Sequence, residues 1–149
     1  MPEQAPQNET IVIRRLIAAT CEEVFQAWTD PESMRHWMQG REDMHDSEAQ
    51  LDVRPGGKFR ITMKGKDGNH EHTGQYRVVE PPSRLVFTWI SKATHEEETI
   101  VTLDLKPRGS ECELTLTHEK LPGKEAASGH ESGWNRVTEL LAQHLASRR

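Results

Sequence analysis

His118 and His130 are the side chains whose type and position best suit proton transfer. His118 shares one face of a predicted strand with Leu114 and Leu116, and His130 lies one helical turn before Trp134. An imidazole among apolar neighbours can orient a ligand or act as an acid or base near neutral pH. It can equally be a hydrogen-bonded core residue. Both readings stay open at this point.

Other reactive side chains lack the spacing that a metal or covalent site requires. His70 and His72 share a strand face, but two ligands do not complete a zinc site and no third is apparent. The glycine pair at 56–57 precedes a strand and lacks phosphate-loop spacing. Cys21 and Cys112 have no CxxC partner and cannot form a disulfide framework. We therefore assign no metal ligand, no cofactor and no catalytic residue, although Tyr76 joins the two histidines as a candidate acid or base.

Seven of the eight aromatic side chains occupy apolar positions spread over nearly every predicted element. They either fill the core or line a pocket, since a sheet curved around one helix leaves a gap for large side chains or a ligand. Methionines would suit an adaptable pocket wall. The candidate ligand-binding residues are Trp28, Trp37, Met38, Phe59, Met63, Tyr76, Phe87, Trp89, Val101, Leu103, Leu116, His118, His130, Trp134 and Val137.

Three helices are predicted to position these residues. Thr20 and Glu23 have the spacing of a capping box at the start of the first helix. Pro31 suits the first turn of a second short helix, which Gly40 would end. The third helix is long, runs from about residue 125 to 147, and carries Trp134.

The remaining segments alternate apolar and polar residues, as half-buried strands do. Residues 10–18 are rich in β-branched side chains and favour a first strand, although which of its faces points inward is left open. Strands and helices do not alternate, so a parallel sheet is unexpected and the fold class is α+β. Six further strands are predicted, in the segments 45–53, 58–64, 70–80, 84–91, 99–106 and 111–119.

Bulk composition limits the functions that this chain can have. Its 149 residues fit one domain, which we place at 10–149 after a disordered lead-in at 1–9. The formal net charge of −5 gives no electrostatic reason to bind nucleic acid or an anionic membrane. The N-terminus has no apolar segment typical of a signal peptide. We therefore expect a cytoplasmic monomer or homodimer.

Five strings in order resemble one known superfamily. They are AWTDPESMRHWM (27–38), LDVRPGGKFRITM (51–63), GQYRVVEPPSRLVFTW (74–89), LTLTHEKLP (114–122) and HESGWNRVTELLAQHL (130–145). The sequence resembles the START-like, or SRPBCC, superfamily, and within it the bacterial proteins related to the C-terminal domain of the Hsp90 ATPase activator Aha1, the AHSA1 family.

The resemblance implies a fold and three possible functions. The fold would be the helix-grip fold, with a curved seven-stranded antiparallel sheet wrapped around the C-terminal helix. The first implied function is non-catalytic binding of a small hydrophobic or amphipathic ligand in a cavity between sheet and helix. The alternatives are interaction with an Hsp90 homologue, which would connect the protein to stress responses, and a polyketide cyclase-like enzyme.

Overall fold

Seven antiparallel strands form one sheet, against which a long C-terminal helix packs, as the sequence predicts. The computed structural model describes residues 8–148. The spatial strand order is β1-β7-β6-β5-β4-β3-β2, so the first and last strands in the chain pair with each other. This is the α+β helix-grip fold expected from the resemblance. The elements are β1 (Asn8–Ile17), α1 (Cys21–Trp28), α2 (Pro31–Met34), β2 (Asp46–Leu51), β3 (Lys58–Gly65), β4 (Gly68–Glu80), β5 (Arg84–Trp89), a 3₁₀ turn (Lys92–Thr94), β6 (Thr99–Arg108), β7 (Glu111–Pro122) and α3 (Lys124–Ser147).

Strand β1 lies at one edge of the sheet, and the burial of its side chains shows which of its faces points inward. Ile11, Ile13 and Ile17 are buried, while Val12 and Leu16 are about half exposed on the opposite face. The strand begins at Asn8, two residues before the predicted start. Residues 1–7 of the predicted lead-in lie outside the described residues.

The predicted capping box at the start of α1 is confirmed. The Thr20 hydroxyl accepts a hydrogen bond from the Glu23 backbone N–H at 3.1 Å, and the Glu23 carboxylate accepts one from the Thr20 N–H at 3.0 Å. The predicted second helix is shorter than expected, because α2 ends at Met34 and a turn leads to Gly40. At this turn the Gln39 side-chain amide donates to the Arg35 carbonyl at 2.7 Å, in place of a helical backbone N–H.

Strict period-two alternation along the predicted strand 70–80 would place Val78 on the same face as Tyr76, and this is wrong. Tyr76 pairs with Phe87 across β4 and β5, but the next pair is Val78 with Val86, so one extra residue is inserted in β4. Such a bulge reverses the alternation of side chains beyond it. Val79 therefore packs against the core instead of Val78.

Gly74 permits the close approach of β4 and β5. A Cβ atom at this position would collide with the Thr88 carbonyl oxygen and lie 2.5 Å from the Phe59 ring. We expect Gly74→Ala to lower the free energy of unfolding by about 2–3 kcal/mol, because a backbone oxygen cannot move aside. Urea denaturation measures this change.

The matched control is Gly129→Ala, because nothing lies within 4 Å of a Cβ added to that helical glycine. This control should raise the free energy of unfolding by about 0.5–1 kcal/mol, the usual helix preference for alanine over glycine. Equal stability of the two alanine variants would contradict the steric argument.

Helix α3 packs against the sheet through Trp134, Val137 and Leu141, which are buried. Arg15 of β1 ties the helix to the sheet, since its Nε donates to the Thr138 hydroxyl at 3.1 Å. None of the helices within residues 8–148 combines the length and the apolar character that crossing a membrane requires.

The two cysteines meet inside the protein. Cys21 begins α1, as predicted, and its Sγ lies 2.7 Å from the Sγ of Cys112 on β7. Burial raises the pKa of Cys112, and the contact with Cys21 raises it further. The Cys112 thiol therefore lacks the low pKa of a reactive cysteine.

Candidate functional site

One pocket of about 390 Å³ opens between α3, the β3–β4 hairpin and the 3₁₀ turn. This volume is within the usual range for small-molecule sites. Five of the sequence-predicted residues line it, namely Met63, Trp89, His130, Trp134 and Val137.

The other predicted residues are placed in the core. Trp28 is central, with its ring centroid 4.8 Å from that of Trp37 and 6.1 Å from that of Trp134. A void of about 10 Å³ beside Trp28 is large enough for one water molecule at most. The predicted residues that do not line the pocket are Trp28, Trp37, Met38, Phe59, Tyr76, Phe87, Val101, Leu103, Leu116 and His118.

His118 is fully buried and joins three elements through hydrogen bonds. Its Nδ1 lies 2.9 Å from the Trp134 indole nitrogen, which can only donate, so Nδ1 carries no hydrogen. The neutral ring therefore carries its hydrogen on Nε2, which donates to the Thr99 hydroxyl at 2.7 Å. That hydroxyl in turn donates to the Trp89 carbonyl oxygen at 2.5 Å.

This hydrogen-bond chain assigns His118 to the core rather than to the pocket lining. Burial, and to a lesser extent the neighbouring His130, lowers the pKa of His118 to about 3. A proton added to Nδ1 would also point at the Trp134 N–H, which is a donor, so protonation would break that hydrogen bond. His118 stays neutral at physiological pH, and all its ring nitrogens are occupied.

Four imidazoles line the pocket, those of His70, His72, His95 and His130, and backbone carbonyls hold two of them. The Nδ1 of His130 lies 2.7 Å from the Ala126 carbonyl oxygen in its own helix, and the Nδ1 of His72 lies 3.3 Å from the Ile61 carbonyl oxygen of β3. Burial lowers the pKa of His72 to about 4 and also lowers that of His130. The His72 ring stacks on Trp89, with 4.8 Å between centroids.

Several pocket residues were not predicted, although the sequence carries a signal for some of them. His70 and His72 share a predicted strand face, and both line the pocket. Gly129 and Gly133 are a second signal, because glycine inside a helix weakens it and leaves room for a close approach. A Cβ on Gly40 would lie 3.7 Å from the Gly133 Cα, so backbone does approach backbone there. The residues not predicted for the site are Gly40, Arg41, Met44, His70, His72, Lys92, Ala93, His95, Glu125, Ala126, Gly129 and Gly133.

The rim of the pocket is polar, and the charge of Arg41 there is balanced by a neighbouring carboxylate. Arg41 forms an ion pair with Asp43, with 3.2 Å between Nε and the carboxylate, and donates to His70 Nε2 at 2.8 Å. Within residues 8–148 no group of three or more His, Cys, Asp or Glu side chains is arranged to hold a metal ion.

A wider depression of about 730 Å³ lies over strands β2 to β5. Its lining includes the charged or polar side chains of Lys58, Arg60, Gln75 and Glu98, and it has no contribution from α3. It lacks the indole walls of the first pocket, which we therefore take as the candidate site.

Comparison with known proteins gives a consistent family and fold. The family model described as "Activator of Hsp90 ATPase homolog 1-like protein" matches residues 18–146. A Rhodobacter sphaeroides crystal structure is 26% identical, with 94% of this chain and 93% of that chain covered and a TM-score of 0.79. No curated protein matches the chain.

Two further structures have the same fold. An AHSA1-like protein from Aeromonas hydrophila is 22% identical, with 94% of each chain covered and a TM-score of 0.77. CalU16 from Micromonospora echinospora is 25% identical, with 91% of this chain and 74% of that chain covered and a TM-score of 0.70.

Proposed function

Because this chain belongs to the family of activator of Hsp90 ATPase homolog 1-like proteins, we propose that it binds a small apolar or amphipathic molecule in the pocket beside α3. Binding would be non-catalytic. The observation that carries the proposal is a pocket of about 390 Å³ whose inner walls are the indoles of Trp89 and Trp134. Pockets with apolar walls and a few fixed polar groups are the usual form of small-molecule sites.

The helix face that borders the pocket supports this proposal. Gly129 and Gly133 contribute no side chain there, although glycine disfavours helices by about 1 kcal/mol per residue relative to alanine. Nothing lies within 4 Å of a Cβ built on Gly129. Gly129 thus leaves free volume that a larger residue would occupy, whereas Gly133 permits the close approach of Gly40.

A variant that fills this volume tests the proposal. Gly129→Leu should weaken binding of the apolar fluorescent probe N-phenyl-1-naphthylamine at least about tenfold, because the new side chain extends into free pocket space without a clash with the fold. Fluorescence titration gives the Kd, and thermal unfolding checks that the variant remains folded.

Ser128→Leu is the matched control, since residue 128 is exposed on α3 and does not line the pocket. It adds the same apolar group one position away and should leave the Kd unchanged. If wild-type protein binds neither this probe nor any lipid, polyketide or aromatic compound in a thermal-shift screen, the proposal fails.

Interaction with an Hsp90 homologue is the second candidate function, because the family description names such a partner. It requires an exposed apolar face, and Val12 and Leu16 provide one on edge strand β1. A pull-down with the bacterial Hsp90 homologue and an ATPase assay distinguish it from ligand binding. Both functions assume a cytoplasmic protein.

The cyclase-like alternative keeps one of its three candidate groups at the site. It needs at least one positioned acid or base, for which Tyr76, His118 and His130 are the candidates, and of these only His130 lines the pocket. Tyr76 borders the small void instead, and His118 is engaged with Trp134 and Thr99.

A further inference from the structure

Backbone carbonyls hold two of the four pocket imidazoles, those of His130 and His72, in a single tautomer. A carbonyl oxygen only accepts hydrogen bonds, so Nδ1 of His130 donates to Ala126 at 2.7 Å and Nδ1 of His72 donates to Ile61 at 3.3 Å. When each ring is neutral, its Nε2 must carry a lone pair. Each ring is therefore a hydrogen-bond acceptor on the side away from its carbonyl.

Both Nε2 atoms are available to a ligand. Within residues 8–148 no group donates a hydrogen bond to either atom. The buried side-chain atoms without a partner in that range are Nε1 of Trp28, Nε of Arg136 and Nε2 of His144. Neither imidazole atom is among them, and both residues line the pocket.

The rings are fixed in place by their neighbours. His72 stacks on Trp89 with 4.8 Å between centroids, and the edge of His130 packs against His118 at 4.9 Å. Burial holds the pKa of each pocket ring below its usual range, so both are neutral at pH 7. The pocket thus presents two preorganised acceptors between apolar walls.

We infer that the pocket selects apolar molecules that carry a hydroxyl group, such as phenols or hydrophobic alcohols. The ligand O–H would donate to Nε2 of His130 or His72, while its apolar body packs against Trp89 and Trp134. A carboxylate is disfavoured there, because it has no hydrogen to donate to an unprotonated nitrogen. This inference rests on the proposed function and narrows its ligand class.

A pair of probes that differ in one hydrogen-bond donor tests the inference. 2-Naphthol and 2-methoxynaphthalene share the same ring system, but only naphthol can donate. We expect wild-type protein to bind naphthol about five- to tenfold more tightly, as one neutral hydrogen bond allows. Displacement of N-phenyl-1-naphthylamine at pH 7 measures both affinities.

Variants of the two histidines test whether their Nε2 atoms accept the hydrogen bond from the ligand. His130→Leu combined with His72→Leu should reduce the naphthol preference to about one, and each single variant should reduce it in part. His45→Leu, at an exposed position that does not line the pocket, is the control and should keep the full preference. Circular dichroism verifies folding, and the wild-type comparison decides the question even if a variant unfolds.

The outcomes separate this inference from the proposed function. Equal affinity of wild-type protein for the two probes would overturn the hydroxyl inference while leaving ligand binding intact. Failure of both probes and of the fluorescent compound to bind would overturn ligand binding itself. A naphthol preference that survives in the double variant would also overturn the assignment to His130 and His72.

Discussion

Replacing His118 with leucine is expected to lower the free energy of unfolding by about 2–4 kcal/mol. Leucine is similar in size, so the main loss is polar: the Trp134 N–H loses its acceptor and stays buried, which costs about 1–3 kcal/mol. The donation to Thr99 also disappears, which removes about another 1 kcal/mol. Urea denaturation at pH 7 measures the change.

Two further variants show whether the hydrogen bond causes the loss. His45 is exposed, so His45→Leu should change the stability by less than about 0.5 kcal/mol. Trp134→Phe removes the N–H, and in that background His118→Leu should cost clearly less than in the wild type. Strictly additive costs would mean that the two side chains contribute independently.

The importance of His118 follows from the elements that it connects. The chain of donors and acceptors runs from Trp134 on α3 through His118 on β7 and Thr99 on β6 to the Trp89 carbonyl at the end of β5. Trp134 and Trp89 both line the pocket, and their ring centroids lie 5.0 Å apart. His118 lies outside the pocket but connects both residues through this chain, so its loss should also weaken ligand binding.

The sequence predicted most of the fold because the fold depends on local signals. Period-two alternation located the strands, and the Thr20–Glu23 spacing located the first helix. The bulge at Arg77 could not be predicted, because one inserted residue in β4 is defined by its pairing with β5. Just after the end of α2 the Gln39 side chain bonds to the Arg35 carbonyl, a contact that has no periodic signature.

The site was predicted only in part, because a pocket is a property of packing. Trp28 and Trp134 are equally apolar and both helical, yet only Trp134 borders free volume. Which of them does so depends on contacts between segments far apart in sequence. The sequence showed that His70 and His72 share one strand face. Whether they line a pocket depends on α3, which lies about sixty residues later in the chain.

Acid is expected to destabilise the protein well above the pH at which carboxylates titrate. The folded-state pKa values of His72 and His118 are about 4 and about 3, whereas an unfolded histidine has a pKa of about 6.5. Below pH 6.5 the unfolded chain therefore binds protons that the folded protein excludes. The stabilisation is fully present above about pH 7 and is lost as the pH falls from 6.5 toward these lower values.

The neighbouring histidines also oppose protonation of the His72 and His118 rings. His130 faces both His118 and His72, and His70 also lies near His72, so a charge on any of them opposes a charge on the others. Between pH 7 and pH 4.5 each of the two buried rings should account for a loss of about 2–3 kcal/mol, or about 5 kcal/mol together. Urea denaturation across this range gives the slope.

Replacing these histidines with residues that cannot titrate should reduce the dependence of the free energy of unfolding on pH. His72→Phe keeps a ring to stack on Trp89 but takes up no proton, and His118→Asn offers the Trp134 N–H an amide oxygen as acceptor. Each variant should be less stable than the wild type at pH 7, yet lose about 2–3 kcal/mol less on acidification to pH 4.5. His45→Asn, at an exposed position, should leave the slope unchanged. A wild-type slope in both buried variants would mean that the folded protein binds these protons as readily as the unfolded chain does, and the low pKa values of His72 and His118 would then be wrong.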